Sequence, residues 1–558
     1  MTFRKYSEAL HNKLNFNLSN FNLALVLLSL LFCIPLIVIC GSLFFPAKEI
    51  WTHLFNTVLI DYVSNSFTLL IGVGFLSLIL GIIPAWLITM YKFPMSRYLE
   101  WAVLLPMSMP AYIVAYSYTG AFDASGPVQE MIRELTGWTY HDYWFPEVRS
   151  LGGAIAMLSF VLYPYIYLLT RASFIEQSVC VLEVSRTLGC NYVDAFRRVA
   201  LPIARPAIIV GLSLVLMETL ADYGTVQYFG VSAFTTGIFR TWFGMDNSLA
   251  AAQLSALLLL FVAVFIFLER RSRTQLAFHH TSSRYSPLLK QKLKGTQAFF
   301  AFFVCFIPLL LGFIIPASFL FNWAIESYSE LFNKDFYLLL FNTLVLAFIT
   351  ALLALAVALF LGYTNRNSHS FINRFLVRFI GIGYAIPGTV IAIGVLIPFT
   401  WFDNRLDYFL KMYFNISSGL LISGTLFILI FAYLVRFLAI SINTVDASLS
   451  KINPEMDEIA KTNGLSHIGI VKRIHIPIMR GSLLTAFLLV FVDVLKELPA
   501  TLILRPFNFN TLAVRTFELA NEERLADAAI PALAIVIVGI IPVIIISNSI
   551  SKYRLAYE

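Results

Sequence analysis

Charged residues are scarce in this chain. Asp, Glu, Lys and Arg make up 13% of its 558 residues, whereas hydrophobic residues make up 59%. Soluble domains carry about 25% charged residues, so this composition excludes an ordinary soluble protein. The sequence also lacks a Gly-x-x-x-x-Gly-Lys-Ser/Thr loop for cradling nucleotide phosphates. We therefore do not expect the chain to be an enzyme that hydrolyses ATP itself.

Cysteine is equally sparse, with five residues at Cys33, Cys40, Cys180, Cys190 and Cys305. Their spacing matches neither a metal site nor an extracellular disulfide framework. The neighbouring His279 and His280 have no carboxylate or Cys residue near them in sequence. We expect the cysteines to be small buried side chains, and we predict no cofactor in this chain.

Long apolar stretches dominate instead, and twelve of them are long enough to cross a hydrocarbon layer of about 30 Å. Backbone polar groups in lipid must be paired within the segment, so we predict helices. The predicted spans are about 22–44, 67–91, 101–122, 150–170, 206–227, 248–268, 297–321, 338–363, 379–402, 416–435, 481–503 and 528–551. Most of the 39 Lys and Arg residues fall on one side if both termini are cytoplasmic. The net charge of +7 thus reflects orientation and does not predict nucleic-acid binding.

Two polar loops share one spacing. In segment 183–202, Glu and Gly lie six positions apart, and Gly and Pro lie thirteen apart; segment 458–477 repeats both intervals. The matched residues are Glu183 with Glu458, Gly189 with Gly464, Arg197-Arg198 with Lys472-Arg473, and Pro202 with Pro477. The repeat indicates an internal duplication.

The register holds beyond these loops. Asn65 matches Asn342, and Pro110 matches Pro387, both at an offset of 277. We therefore predict an all-α membrane protein with two homologous six-helix domains, arranged as a parallel repeat. The predicted domains are 1–268 and 297–558, joined by a basic cytoplasmic linker at 269–296 that lies near anionic headgroups.

The repeated loops predict a helix–Gly–helix projection on the inner face. Gly189 and Gly464 would reverse the chain at the end of one helix. A short basic amphipathic helix would follow and end before Pro202 or Pro477. A projection that carries both charged and apolar residues is typical of a surface that docks into a groove on a soluble partner.

Four carboxylates interrupt the apolar helices as two pairs, Glu218 with Asp222 and Asp493 with Glu497. The i, i+4 spacing predicts that both acids of a pair share one helix face. Buried charge in a membrane is costly, so the acids should face the bundle interior, as a translocation path or gate. The alternative is that they pair with Lys496, Arg505 or backbone groups. Tyr112 and Tyr116 are further path candidates, with plain packing as the alternative.

The repeated loop resembles the Glu-Ala-Ala loop of permeases in binding-protein-dependent ABC importers. The resemblance implies that Glu183 and Glu458 contact an ATPase subunit, and that Gly189 and Gly464 provide the bend. It also implies two copies of a separate ATPase that binds ATP and Mg²⁺. A periplasmic binding protein should dock outside, where the longest loop is 123–149.

The acid-bearing segments are similar to those of fused permeases for ferric iron. The similarity lies in segments 217–225, 236–242, 496–506 and 510–516. It implies two type I permease domains in a bacterial inner membrane and uptake of Fe(III), with transient contact at Glu218, Asp222, Asp493 and Glu497. Hard oxygen ligands suit a hard cation. Thiamine or a phosphonate remains an alternative substrate, and an ion-coupled secondary transporter remains an alternative of another class.

Overall fold

The computed structural model describes residues 20–176, 191–274, 290–328, 334–367 and 371–555. Within these ranges, ten helices are long and apolar enough to span a membrane. Two bent helix pairs would raise that number to twelve if each pair is one span. The predicted all-α membrane fold is therefore confirmed.

The first half of the chain contains the elements α1 to α12. Their bounds are α1 Asn20–Ser42, α2 Lys48–Thr57, α3 Leu59–Met90, β1 Tyr91–Lys92, α4 Ser96–Ala102, α5 Ala111–Phe122, α6 Pro127–Thr136, α7 Leu151–Glu176, α8 Tyr192–Ala195, α9 Leu201–Ala221, α10 Gly224–Tyr228, α11 Phe234–Phe239 and α12 Ser248–Thr274. Two π-helical turns, Phe196–Ala200 and Arg240–Gly244, extend α8 and α11.

The second half contains β2 and α13 to α24. Their bounds are β2 Gln291–Lys292, α13 Gly295–Leu309, α14 Ile315–Glu326, α15 Lys334–Asn367, α16 Phe371–Ile380, α17 Gly388–Phe414, α18 Leu426–Leu449, α19 Pro454–Thr462, α20 His467–Ile470, α21 Ile476–Leu495, α22 Pro499–Leu504, α23 Leu512–Asn521 and α24 Leu525–Leu555. π turns at Leu310–Ile314 and Val471–His475 join α13 to α14 and α20 to α21. The strands β1 and β2 form a parallel pair, with Tyr91 opposite Gln291.

One compact unit comprises residues 1–46, 247–256 and 338–511. In it, α1 from the start of the chain packs on helices of the second half. Phe32 stacks on Phe431 with ring centroids 5.7 Å apart. A Cβ at Gly394 would lie 2.7 Å from the carbonyl oxygen of Pro35, so glycine permits this close approach of α1 and α17.

The other compact unit comprises residues 47–246, 257–337 and 512–558. Here the α13–α14 segment packs on the first half. The Tyr118 hydroxyl donates to the carbonyl oxygen of Leu311 at 2.7 Å. Gly312 lies so near Phe160 that an added Cβ would be 2.4 Å from its carbonyl oxygen. The units are thus interleaved along the chain, whereas the predicted domains 1–268 and 297–558 follow the sequence repeat and stay a prediction.

The third predicted span of each half is bent at a proline. The segments flanking Pro110 meet at 90°, and those flanking Pro387 meet at 117°. The spans predicted at 101–122 and 379–402 therefore each contain a sharp bend. Proline disfavours helical geometry in the residue before it, and Met109 and Ile386 are both extended. The same break at the same register supports the duplication.

Candidate functional site

Asp222 lies at a break between two helices. The helix α9 ends at Ala221, and Asp222 has extended backbone angles of φ −67° and ψ 131°. Its carboxylate accepts hydrogen bonds from the backbone N–H groups of Thr225 and Val226, both at 3.1 Å, and from the Thr225 hydroxyl at 3.0 Å. These donors open the short helix α10, whose N-terminus favours negative charge. Asp222 therefore stabilises the restart of the helix after the break.

Glu497 occupies the matching break of the second half, 275 residues later. The helix α21 ends at Leu495, and α22 begins at Pro499. One carboxylate oxygen of Glu497 accepts the backbone N–H of Ala500 at 3.2 Å. Ala500 is the repeat counterpart of Thr225, so both acids bond the turn that follows them.

Glu497 also forms a buried ion pair with Arg436 of α18, where the two side chains are 5% and 7% exposed. A Cβ at Gly388 would lie 2.5 Å from the Glu497 Oε1 atom and 2.6 Å from the Arg436 Nη1 atom. The bend after Pro387 thus places the backbone of Gly388, which has no side chain, in contact with the ion pair. Sequence reasoning missed Arg436, although a basic residue in the middle of an apolar span is itself a signal to search for a buried partner.

The prediction that each acid pair shares one helix face was wrong. Because α9 and α21 end before Asp222 and Glu497, the i, i+4 relation does not apply to either pair. Pro499 opens the helix that follows the second break, a first-turn position where its missing N–H costs no hydrogen bond.

The two remaining acids lie inside the helices. Asp493 pairs with Lys496 at 2.8 Å, and Glu218 is half-buried in α9. Asp493 thus pairs with Lys496, and Asp222 and Glu497 accept hydrogen bonds from backbone groups. These contacts match the alternative that the acids pair with Lys496, Arg505 or backbone groups. The described parts of the chain contain no cluster of three or more His, Cys, Asp and Glu side chains that could hold a metal ion. Convergence of the four acids on one path stays a prediction, since each compact unit contains only two of them.

Tyr112 and Tyr116 are buried in α5. Their hydroxyl groups donate to the carbonyl oxygens of Ala513 and Ala528, at 3.3 and 3.4 Å. The Tyr112 ring also meets Phe517 edge-on at 6.0 Å. These contacts favour the packing interpretation of both tyrosines; a role in the path is untested.

The second repeated loop, 458–477, forms a compact projection that begins slightly earlier, at α19. Asn453 caps α19 by accepting the backbone N–H of Glu455 at 3.1 Å. Gly464 has φ of +78°, a left-handed conformation that suits glycine and allows the predicted bend. Glu458 is exposed on α19, and Lys472 and Arg473 are exposed after the bend.

The predicted helix end before Pro477 was wrong. The chain runs from α20 through the π turn Val471–His475 directly into α21, with Pro477 in its first turn. A π turn widens the helix, so it accommodates a proline that would otherwise clash with the preceding turn. The basic segment is therefore continuous with a membrane-spanning helix.

The first repeated loop is described in part, because Glu183 and Gly189 lie outside the described residues. Its later portion has the same π turn, at Phe196–Ala200, 275 residues before its counterpart. Arg197 and Arg198 are exposed on this turn, and Pro202 lies in the first turn of α9. The predicted helix end before Pro202 was thus wrong for the same reason.

Comparison with known proteins identifies a family at two places in the chain. The family of binding-protein-dependent transport system inner membrane components matches residues 77–273 and again residues 354–553. The chain is 26% identical to the Fe(3+)-transport system permease protein FbpB 2 of Haemophilus influenzae, over 94% of this chain and 97% of the relative. It is 24% identical to the ferric transport system permease protein FbpB of Actinobacillus pleuropneumoniae, over 86% of this chain and 71% of the relative. A sulfate transport system permease protein, CysT of Salmonella typhimurium, is 24% identical over 38% of this chain and 75% of the relative.

Proposed function

Since this chain belongs to the family of binding-protein-dependent transport system inner membrane components, we propose that it is the permease of an ATP-driven importer of ferric iron. It is a multi-pass inner-membrane protein with two permease repeats. The observation that carries the choice of substrate is the similarity to an Fe(3+)-transport permease over nearly the full length of both chains.

The partners follow from the two repeats. Each repeat carries one projecting loop of the same spacing, so we propose that two copies of a separate ATPase dock at 183–202 and 458–477. The ATPase would bind ATP and Mg²⁺, and a periplasmic binding protein would deliver iron on the opposite side. In this proposed arrangement both termini would lie in the cytoplasm.

Transport would proceed by alternating access. Closure of the ATPase dimer would move both loops, and the continuous helices α9 and α21 would carry this motion to the breaks at Asp222 and Glu497. Asp222 and Glu497 already accept hydrogen bonds. Contact of either acid with passing Fe(III) therefore requires those bonds to be exchanged, whereas Glu218 and Asp493 lie inside their helices.

Uptake of radiolabelled ferric iron tests this function. Cells with the chain, without it and with it restored are compared, with and without depletion of ATP. Thiamine and 2-aminoethylphosphonate serve as parallel substrates. We expect iron uptake to require both the chain and ATP. Chain-dependent accumulation of another substrate in place of iron would contradict the iron assignment, and uptake that follows an ion gradient without ATP would contradict the importer.

A further inference from the structure

A buried polar network lies beneath the second projecting loop. Arg366, near the end of α15, contacts Asp457 of α19 through its Nε atom at 2.7 Å. Its two terminal nitrogens donate to the carbonyl oxygens of Leu449 and Ile452. One guanidinium group thus joins α15 to the end of α18, to the following turn and to α19.

The other oxygen of Asp457 contacts His475 in the π turn, with 2.8 Å between Oδ1 and Nε2. Both side chains are almost inaccessible, at 6% and 1% exposure. The Tyr363 hydroxyl lies 2.8 Å from the Nδ1 atom of His467, and its ring lies 5.6 Å from that of His475. Asp457 therefore connects the helix before Gly464 to the π turn after it.

The first half has no such charges at the matched positions. With the offset of 277 for the helices and 275 for the loops, the counterparts of Arg366, Asp457 and His475 are Thr89, Leu182 and Ala200. Leu182 lies outside the described residues. The Thr89 hydroxyl donates to the carbonyl oxygen of Ala85 within its own helix.

Aromatic packing takes the place of the network there. Trp86, the counterpart of Tyr363, lies 5.4 Å from Phe174 and 5.0 Å from Phe196, between ring centroids. Ala200 is fully buried in the same apolar cluster. The two repeats thus hold the same π turn by different chemistry.

We propose that Arg366, Asp457 and His475 are positioning residues, which fix the second projecting loop to α15 and α18 so that its movement reaches the bundle. The opposite side of this loop carries exposed apolar side chains, with Ile459 60% and Ile468 65% exposed. The exposed side can contact the ATPase, and the buried network on the other side can transmit the resulting movement to α15 and α18. At the matched positions, charged groups hold the second loop and apolar groups hold the first. This inference rests on the proposed function.

Two substitutions and their combination test the network. Arg366→Met and Asp457→Asn each remove one member of the buried ion pair, and the double variant removes both charges of that pair. We expect each single variant to lower iron uptake on the order of tenfold, while ATP hydrolysis by the purified complex with its binding protein continues. The double variant should be no worse than either single variant, because residues that act through one contact are not additive. Arg480→Met, an exposed arginine at the start of α21, is the matched control and should transport within about twofold of the unchanged chain.

Normal uptake by Arg366→Met, or losses that multiply in the double variant, would overturn the inference. If the single variants do not accumulate in the membrane, the variant Arg366→Lys tests the inference instead. It keeps the charge but cannot serve three acceptors in a fixed fork, so it should accumulate and transport poorly. Normal transport by Arg366→Lys would also overturn the inference. Failure of the unchanged chain to import iron would instead reject the proposed function.

Discussion

The substitution Glu497→Gln tests the helix break of the second half. Gln has nearly the same shape and keeps an oxygen that can accept the backbone N–H of Ala500, so only the charge is removed. Arg436 then remains at 7% exposure without its carboxylate partner. Breaking a buried pair by removal of one partner costs about 3–5 kcal/mol. We expect a loss of this size in the free energy of unfolding.

The loss can be measured by SDS titration of the purified chain in detergent micelles. Asp493→Asn is the matched control, in the helix α21 that precedes the break, since the side chains of its pair with Lys496 are more exposed, at 13% and 24%. Ion pairs contribute less as water reaches them more easily, so this control should lose less stability than Glu497→Gln. Adding Arg436→Met to Glu497→Gln removes both charges and should restore most of the stability. Equal stability of Glu497→Gln and the unchanged chain would refute the argument that the pair holds the break.

Three further predictions concern the projecting loops. Glu183→Ala with Glu458→Ala should abolish iron uptake at unchanged membrane content, measured by uptake and immunoblot; normal uptake would remove their coupling role. Gly464→Ala should cost about 1–2 kcal/mol because φ is +78°; an unchanged unfolding temperature of the chain would contradict this. Burial raises the pKa of Asp457, but hydrogen bonds from His475 and Arg366 lower it below its ordinary value overall. A lowered pKa stabilises the fold at pH values above the unfolded pKa of about 4. Protection of the loop from protease should therefore persist at neutral pH and disappear only in acid. Loss of protection near pH 6 would contradict this assignment.

The duplication is the part of the fold that the sequence predicts best. Pro and Gly at fixed offsets mark the bends and the loop turn, because each of these residues has a strong local conformational preference. The matched bends at Pro110 and Pro387 and the left-handed Gly464 have this origin. The π turns at 196–200 and 471–475 share a register as well, although their sequences, Phe-Arg-Arg-Val-Ala and Val-Lys-Arg-Ile-His, differ.

The helix breaks at the acids were not predicted, because the apolar pattern continues through them. What ends each helix is a carboxylate that accepts hydrogen bonds from the following turn. At Glu497 an arginine 61 positions away completes the arrangement. Spacing along one helix carries no information about a partner on another helix, so the i, i+4 rule predicted a shared face where the helix had already ended.

The packing partners of α1 and of α13–α14 were not predicted from the sequence either. An apolar helix in a membrane has no hydrophobic preference for one neighbour over another, so association depends on close fit between small residues and backbone. Here the fit is made by Gly394 against Pro35 and by Gly312 against Phe160. Both contacts join residues of different sequence halves. The family matches begin only at residues 77 and 354, after these helices. The portion that the family matches therefore contains the bends, breaks and loops. The helices before it do not follow their own half: α1 belongs to the compact unit with residues 338–511, and α13–α14 belong to the unit with residues 47–246.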